Sequence, residues 1–147
     1  MIGIVFKIVS HNSLEYYKAI KLREEVLRKP LGFVCAPEEA EKEKDHIHIV
    51  GFNRNEIIST AVLVPKVNEC KMQRVVVNPG LQSVGIGSRM VEFCENYAKE
   101  HGFHSIYCYA RDTAVNFYLK NCYVSEGDYF SSNTIPHLKL LKMRKWL

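Results

Sequence analysis

The stretch Arg74-Val75-Val76-Val77-Asn78-Pro79-Gly80-Leu81-Gln82-Ser83-Val84-Gly85-Ile86-Gly87-Ser88 decides the fold. It starts as an apolar strand, turns at Asn-Pro-Gly, and enters a long helix near Gly85. The first amides of that helix have no internal acceptor, and the helix dipole places partial positive charge there. Gly85 and Gly87 let the backbone approach a ligand because no Cβ stands in the way. The pattern therefore predicts a site for a phosphate or pyrophosphate.

Three phosphate-binding motifs compete for this loop. The P-loop needs Gly-Lys-Ser/Thr, but here Gly87-Ser88 has no lysine. The dinucleotide fingerprint needs a third glycine where Met90 stands. What remains is Gln82-x-x-Gly85-x-Gly87, although two glycines that open a helix can also serve tight packing alone.

Upstream of this stretch, the pattern predicts a strand, a helix and a hairpin. Ser13 is the expected cap of a helix that reaches about Arg28. The apolar stripe of that helix is expected to be Leu14, Tyr17, Ile20, Leu22 and Val26. Residues 37–44 are acidic and lysine-rich, which indicates a solvated loop or a short helix. Residues 47–52 and 56–64 predict a hairpin that turns at 53–55.

Downstream, the long helix is expected to end at Gly102, a typical C-terminal cap. A strand over 105–109, a short helix over 112–120 and strands near Val124 and Leu138 follow. The elements together predict an α+β domain with a central, mostly antiparallel sheet and helices on its faces.

The composition is that of a single globular domain spanning residues 1–147, with 47% hydrophobic residues. A net charge of +4 suits an anionic ligand but is too small to indicate nucleic acid. No run approaches the ~18 apolar residues of a membrane span. Five scattered cysteines without a Cys-x-x-Cys pair predict reduced thiols and a cytoplasmic protein.

A second motif follows at Ala114-Val115-Asn116-Phe117-Tyr118-Leu119-Lys120-Asn121-Cys122-Tyr123. A short amphipathic helix with Ala114 and Phe117 in the core explains most of it. It explains Tyr118 less well, since a buried phenol needs a hydrogen-bond partner.

Together, the two motifs resemble the GNAT superfamily of N-acetyltransferases, in particular its small bacterial domains. Leu22-Arg23-x-x-Val26-Leu27-Arg28-x-Pro30-Leu31-Gly32 and Ile135-Pro136-His137 extend the likeness to nearly the whole chain. Two positions depart from the family pattern, because Ser83 and Cys122 stand where glycine is frequent. We expect Asn121 to take the left-handed conformation that the second glycine usually supplies.

The resemblance implies a mixed, mostly antiparallel twisted sheet that is splayed between its fourth and fifth strands and has helices on both faces. It also implies acetyl-CoA as the acyl donor and no metal. It implies that the backbone at about Val75 stabilises the oxyanion and that Tyr118 serves the departing sulfur. The residues implied in cofactor binding are Val75, Val76, Val77, Gln82, Ser83, Val84, Gly85, Ile86, Gly87, Ser88 and Phe117. The amine would attack directly in a ternary complex.

The acceptor and the general base stay open. We expect a small-molecule primary amine as the acceptor, and the oligomeric state, including a homodimer, is not determined by the sequence. His46 and His48 alternate onto one strand face, but a third metal ligand at a recognisable spacing is lacking. The base is left unassigned among the histidines, Glu24, Glu25, Glu69 and water. A non-catalytic acyl-CoA sensor is the main alternative function.

Overall fold

The computed structural model describes residues 3–28, 41–133, 135 and 137–147, and for residues 28 and 82–84 only the backbone. The strands are β1 (Ile4–Val9), β2 (Ile47–Asn53), β3 (Glu56–Pro65), β4 (Glu69–Val77), β5 (Ser105–Arg111), β6 (Val124–Ser131) and β7 (Lys139–Trp146). The helices are α1 (Leu14–Arg23), α2 (Ile86–Glu100) and α3 (Val115–Lys120). A π-helical turn (Glu24–Arg28) follows α1, and 3₁₀ turns (Pro79–Val84 and Asp112–Ala114) precede α2 and α3.

The strands form one seven-stranded sheet in the hydrogen-bonded order β1-β2-β3-β4-β5-β7-β6. The pairs β1–β2, β2–β3, β5–β7 and β6–β7 are antiparallel. β4 and β5 pair in parallel over three residue pairs, from Glu69–Ser105 to Lys71–Tyr107. The predicted α+β class and mixed sheet are confirmed.

The chain divides into two compact units, and the first comprises Met1–Val64 and Met72–Cys94. Successive residues of a strand point to opposite faces of its sheet. On one face, Val9 and Val50 pack against Ala19 of α1. On the other face, Phe6 of β1 contacts Phe93 of α2, with ring centroids 6.1 Å apart. This unit therefore carries a helix on each face of its strands.

The second unit comprises Pro65–Lys71 and Glu95–Leu147. Its buried core contains Ile106 and Cys108 of β5 and Leu141 and Met143 of β7. The short helix α3 contacts β5 and β7. The edge strand β6 is exposed along most of its length.

The predicted stripe of α1 is partly wrong. Leu14 and Tyr17 are 67% and 55% exposed, whereas the buried residues of the helix are Tyr16, Ala19, Leu22 and Arg23. Two of these carry polar groups, and they can be buried because both bond Glu43. Glu43 itself lies in the segment that the sequence predicts to be solvated, yet it is 2% exposed. Residues 37–40 of that segment lie outside the described residues.

The N-terminal cap of α1 agrees with the sequence, because the Ser13 hydroxyl accepts a hydrogen bond from the Tyr16 amide at 3.1 Å. Gly102 ends α2 with φ +83°, and the Phe103 amide donates to the Ala98 carbonyl at 3.0 Å. In the described part of the chain, no helix is long and apolar enough to cross a membrane.

Candidate active site

Asn78 fixes the loop that joins β4 to α2. Its main-chain amide donates to the Ile58 carbonyl of β3 at 2.7 Å, which holds the end of β4. Its side-chain oxygen accepts from the Gly80 amide at 3.0 Å and starts the 3₁₀ turn. Asparagine suits this position because its short side chain can bond amides two residues ahead. The path of the chain from the strand to the helix is thereby fixed.

Gly85 lies at the entrance of α2 in the left-handed conformation, with φ +83°. The Arg89 amide donates to the Gly85 carbonyl at 3.2 Å, so the regular helical ladder starts here. Ile86 and Met90 are 1% and 0% exposed and anchor the first turn, while Gly85 itself is exposed. The first amides of the helix thus lie beside a glycine that carries no side chain.

Of the residues predicted to bind the cofactor, Gly87 is buried in the first turn of α2 and Ser88 is half-buried. The side chains of Gln82, Ser83 and Val84 lie outside what the structure describes. The first turn reads Ile86-Gly87-Ser88-Arg89 and carries a basic but no acidic residue. The donor set, which consists of backbone amides at a helix start, fits a pyrophosphate.

β4 contains a backbone irregularity at Arg74, whose φ is +54°. This left-handed conformation is uncommon for a residue with a long side chain and costs roughly 1–2 kcal/mol. In the strand, a left-handed residue rotates the peptide groups around it out of the regular ladder, as in a β-bulge. The alternation of buried and half-buried residues along β4 breaks after the same place, since the neighbours Val76 and Val77 are both buried. The next residue along the chain is Val75, the predicted oxyanion donor.

Tyr118 lies in α3 and is 6% exposed. Its hydroxyl is a hydrogen-bond partner of the Cys108 thiol on β5. Burial raises the pKa of Cys108 to about 12, and the bond to Tyr118 only partly opposes this. The sequence placed Ala114 and Phe117 in the core, but both are half-buried, and the buried residues of α3 are Val115 and Tyr118.

The turn after α3 corrects one expectation. Asn121 keeps φ −92°, and Cys122 itself takes the left-handed conformation with φ +71°. The Cys122 amide donates to the Leu119 carbonyl at 3.1 Å, and the Tyr123 amide donates to the Tyr118 carbonyl at 3.0 Å. The backbone after this helix requires a left-handed residue one position later than predicted, where the related motif has glycine.

Of the candidate histidines, His48 has a structural role in this fold. His48 is 3% exposed, and its Nε2 lies 2.8 Å from the Glu43 carbonyl oxygen. Burial lowers the pKa of His48, although the bond to Glu43 opposes this. A neutral ring beside a carbonyl must carry its proton on Nε2, so that nitrogen donates and cannot act as a base. His137 is exposed and adopts φ +66°.

The acidic candidates for the base differ in their surroundings. Glu69 accepts a hydrogen bond from Arg144 at 2.8 Å and is therefore committed to an ion pair. Glu24 and Glu25 open the π-helical turn after α1. Among the described residues, no group of three His, Cys, Asp or Glu side chains could hold a metal ion.

Sequence reasoning missed a buried ionic cluster around Glu43. The two terminal guanidinium nitrogens of Arg23 donate to the carboxylate at 2.8 Å, and the Tyr16 hydroxyl donates at 3.0 Å. Arg74 Nε lies 3.8 Å from the same carboxylate. Burial alone would raise the pKa of Glu43, but these partners lower it below its usual value, so the carboxylate is charged. The signal available in the sequence was the polar pair Gln73-Arg74, which interrupts the alternation of β4.

Comparison with known proteins agrees with the geometry. A model of the acetyltransferase (GNAT) family matches residues 10–122. The uncharacterised N-acetyltransferase YjcF of Bacillus subtilis (strain 168) is 27% identical over 137 residues, covering 92% of this chain and 97% of that protein.

Two solved structures share the fold at low sequence identity. A GNAT family acetyltransferase from Elizabethkingia anophelis, with acetyl-CoA bound, has a TM-score of 0.76 at 14% identity, covering 100% of both chains. An aminoglycoside 6'-N-acetyltransferase complexed with coenzyme A has a TM-score of 0.81 at 14% identity, covering 97% of this chain and 96% of the other. With the family match over most of its length, the chain belongs to the GNAT acetyltransferase family and is an acetyl-CoA-dependent N-acetyltransferase.

Proposed function

We propose that the protein transfers the acetyl group of acetyl-CoA directly to the primary amine of a small molecule in a ternary complex. The observation that carries the proposal is the left-handed Arg74 in β4, directly before the amide predicted to serve the carbonyl oxygen. Strained backbone conformations of this kind concentrate at functional sites, where the surrounding structure holds them.

In this proposal, the start of α2 binds the pyrophosphate of the donor. The amides that follow Gly85 supply the hydrogen bonds, and the helix dipole favours the negative charge. The backbone of Val75 to Val77 pairs with the pantetheine arm as an added strand would. Bound acetyl-CoA supplies the thioester, and this chain's own groups orient it. Phe117, half-buried in α3, is proposed to contribute apolar contact to the donor.

The amide of Val75 is proposed to stabilise negative charge on the carbonyl oxygen during attack. The left-handed backbone at Arg74 sets the orientation of this amide. A main-chain donor of this kind is held by the fold, whereas a side-chain donor could rotate. A donor that is already in place costs no reorganisation during the reaction, and one such donor is worth roughly 10²–10³ in rate.

Tyr118 is proposed to hydrogen-bond the sulfur as it leaves. A phenol has a pKa near 10 and a cysteine-like thiol about 8.5, so complete proton transfer to a free thiolate is unfavourable by about 2 kcal/mol. The hydroxyl would therefore act mainly as a hydrogen-bond donor while charge develops. Its hydrogen bond with the Cys108 thiol supports this role, since the partner of the hydroxyl is already a sulfur atom.

The acceptor must lose a proton, since an alkylamine with a pKa of about 10 is mostly protonated at neutral pH. His48 Nε2 and Glu43 are committed to structural partners. With Glu69 paired to Arg144 as well, the candidates for the base that remain are Glu24, Glu25, His46, His137 and water. A net charge of +4 favours an acceptor that also carries a phosphate or carboxylate.

A panel of amino sugars, amino acids, polyamines and short peptides, with CoA release followed by a thiol reagent, tests this function. We expect turnover with at least one small amine and none of comparable efficiency with peptides. A peptide amine as the sole good acceptor would contradict the small-molecule assignment. Binding of acetyl-CoA without turnover on any amine would instead favour an acyl-CoA sensor. A single domain over residues 1–147 and a cytoplasmic location are part of the same proposal.

A further inference from the structure

Glu43 is anchored on several sides in the first unit. Its side chain is 3% exposed and forms a bidentate pair with Arg23, which is 4% exposed. Its carbonyl oxygen accepts bonds from His48 Nε2 at 2.8 Å and from the His46 amide at 3.1 Å. Side chain and main chain of one residue are thus bonded to α1 and to the start of β2. The carboxylate can move little.

Arg74 reaches this fixed carboxylate. Its Nε lies 3.8 Å from Glu43 Oε2, which is within ion-pair distance, and its side chain is 30% exposed. Arg74 is also the residue whose backbone is left-handed, with φ +54°. A non-glycine residue remains in this conformation only where the surrounding structure outweighs the cost. The attraction between the charged Glu43 carboxylate and the Arg74 side chain can outweigh this cost, because it acts on the strained residue itself.

We propose that Glu43 is a positioning residue for acetyl transfer, whose carboxylate holds Arg74 and so keeps β4 in the turned conformation that presents the Val75 amide. The proposal rests on the function assigned above to that amide. Glu43 contacts no reacting atom in this scheme. Its effect passes through the Arg74 side chain to the Arg74 backbone and then to the next peptide group.

Glu43→Gln tests the proposal because it keeps the size of the side chain and removes its charge. The matched control is Glu126→Gln, which removes a carboxylate paired with Arg144 at 2.7 Å in the second unit. We expect Glu43→Gln to lower kcat by at least ~10-fold, the scale of a small misplacement of a reacting group, with the KM for acetyl-CoA unchanged. Glu126→Gln should keep kcat within about twofold of the parent enzyme.

Hydrogen exchange of backbone amides 72–77 provides a readout that does not depend on activity. Glu43→Gln should accelerate exchange there by more than it does in α3, while far-UV circular dichroism is retained. Glu43→Asp, which restores the charge on a shorter side chain, should recover part of the protection. Arg74→Met removes the other partner from a partly exposed site and should reproduce both the faster exchange and the lower kcat, even if Glu43→Gln does not fold.

Unchanged exchange over 72–77 in both Glu43→Gln and Arg74→Met would overturn the proposal, whatever happens to kcat. The same holds if kcat falls equally in Glu126→Gln, because the loss would then be a general effect of removing an ion pair. If the parent enzyme acetylates no amine but exchange still accelerates in the two variants, the proposed function fails. The link between Glu43 and β4 then stands.

Discussion

The Tyr118 hydroxyl is hydrogen-bonded to the thiol of Cys108. Burial raises the pKa of this thiol to about 12. Such a thiol remains protonated at any pH at which the enzyme works, so it can hold the hydroxyl without becoming a charged competitor for its proton. A buried tyrosine with a weak sulfur partner can exchange that partner at little cost, because thiols form only weak hydrogen bonds. Tyr123 differs, since its hydroxyl donates to the Glu95 carboxylate at 2.9 Å.

Replacing Tyr118 with phenylalanine should lower turnover by about 10²-fold, the usual scale for a positioned acid, with little change in acetyl-CoA affinity. The interaction is made in the transition state, and for that reason turnover should suffer more than binding. Steady-state kinetics and calorimetry measure the two effects. Tyr123→Phe is the control, because it removes a buried hydroxyl from the same unit. Near-normal turnover of Tyr118→Phe when chemistry limits the rate would mean that Tyr118 is only a core aromatic residue.

Aspartate at Gly85 should greatly weaken CoA binding, since it places bulk and negative charge beside the amides at the start of α2. Gly87→Asp should have the same effect within the first turn. Gly102→Asp is a close control because Gly102 also has φ +83° and lies at the end of the same helix. Calorimetry should show affinity lost in the first two variants and kept in the third. Equal affinity in all three would show that the pyrophosphate lies elsewhere.

The pKa of Glu43 predicts how stability depends on pH. Because folding lowers this pKa, the unfolded chain binds more protons in acid, and stability falls as pH decreases from the unfolded pKa, about 4.3, through the folded one. Glu43→Gln should therefore cost about 3 kcal/mol at pH 7 and flatten the acid part of the profile. Urea unfolding at several pH values measures both effects.

The exposed pair Glu41–Lys44 supplies the control for this pH profile. Glu41→Gln should change stability by less than about 1 kcal/mol and leave the acid slope intact, because exposed ion pairs contribute little. An unchanged acid slope in Glu43→Gln would show that other carboxylates determine it.

Cys122→Gly should stabilise the protein by up to about 1 kcal/mol, since it removes the cost of holding a side chain at φ +71°. Asn121→Gly is the matched control one position earlier, where φ is −92° and glycine brings no relief. Thermal unfolding compares the two variants. A lower melting temperature for Cys122→Gly would indicate that the cysteine side chain makes contacts worth more than the strain.

The elements that the sequence predicted well depend on residues close together in the chain. Ser13 caps the helix that it precedes, and Gly85 and Gly102 bound the helix between them, because caps are decided within about one turn. The candidate pyrophosphate site is local in the same sense. Its residues could therefore be named from a single stretch.

The errors came from interactions between distant residues. The buried face of α1 includes Tyr16 and Arg23, which no apolar period selects, because their partner Glu43 is 27 and 20 residues away. The left-handed conformation of Arg74 is reflected in the sequence only by a break in the alternation of polar and apolar residues along β4. Nothing in the sequence indicates that Cys108 contacts Tyr118. Position 122 could be recognised as unusual, but the choice between Asn121 and Cys122 depends on the hydrogen bonds that close the turn.

The Arg23–Glu43 pair also has an evolutionary consequence. It joins the two ends of the stretch of chain between α1 and β2, so these two elements are held together whatever residues lie between Arg23 and Glu43. The entropic cost of closing a loop grows slowly, by about 0.6 kcal/mol for each doubling of its length. Insertions, deletions and substitutions in that stretch can therefore accumulate without unseating the helix or the strand.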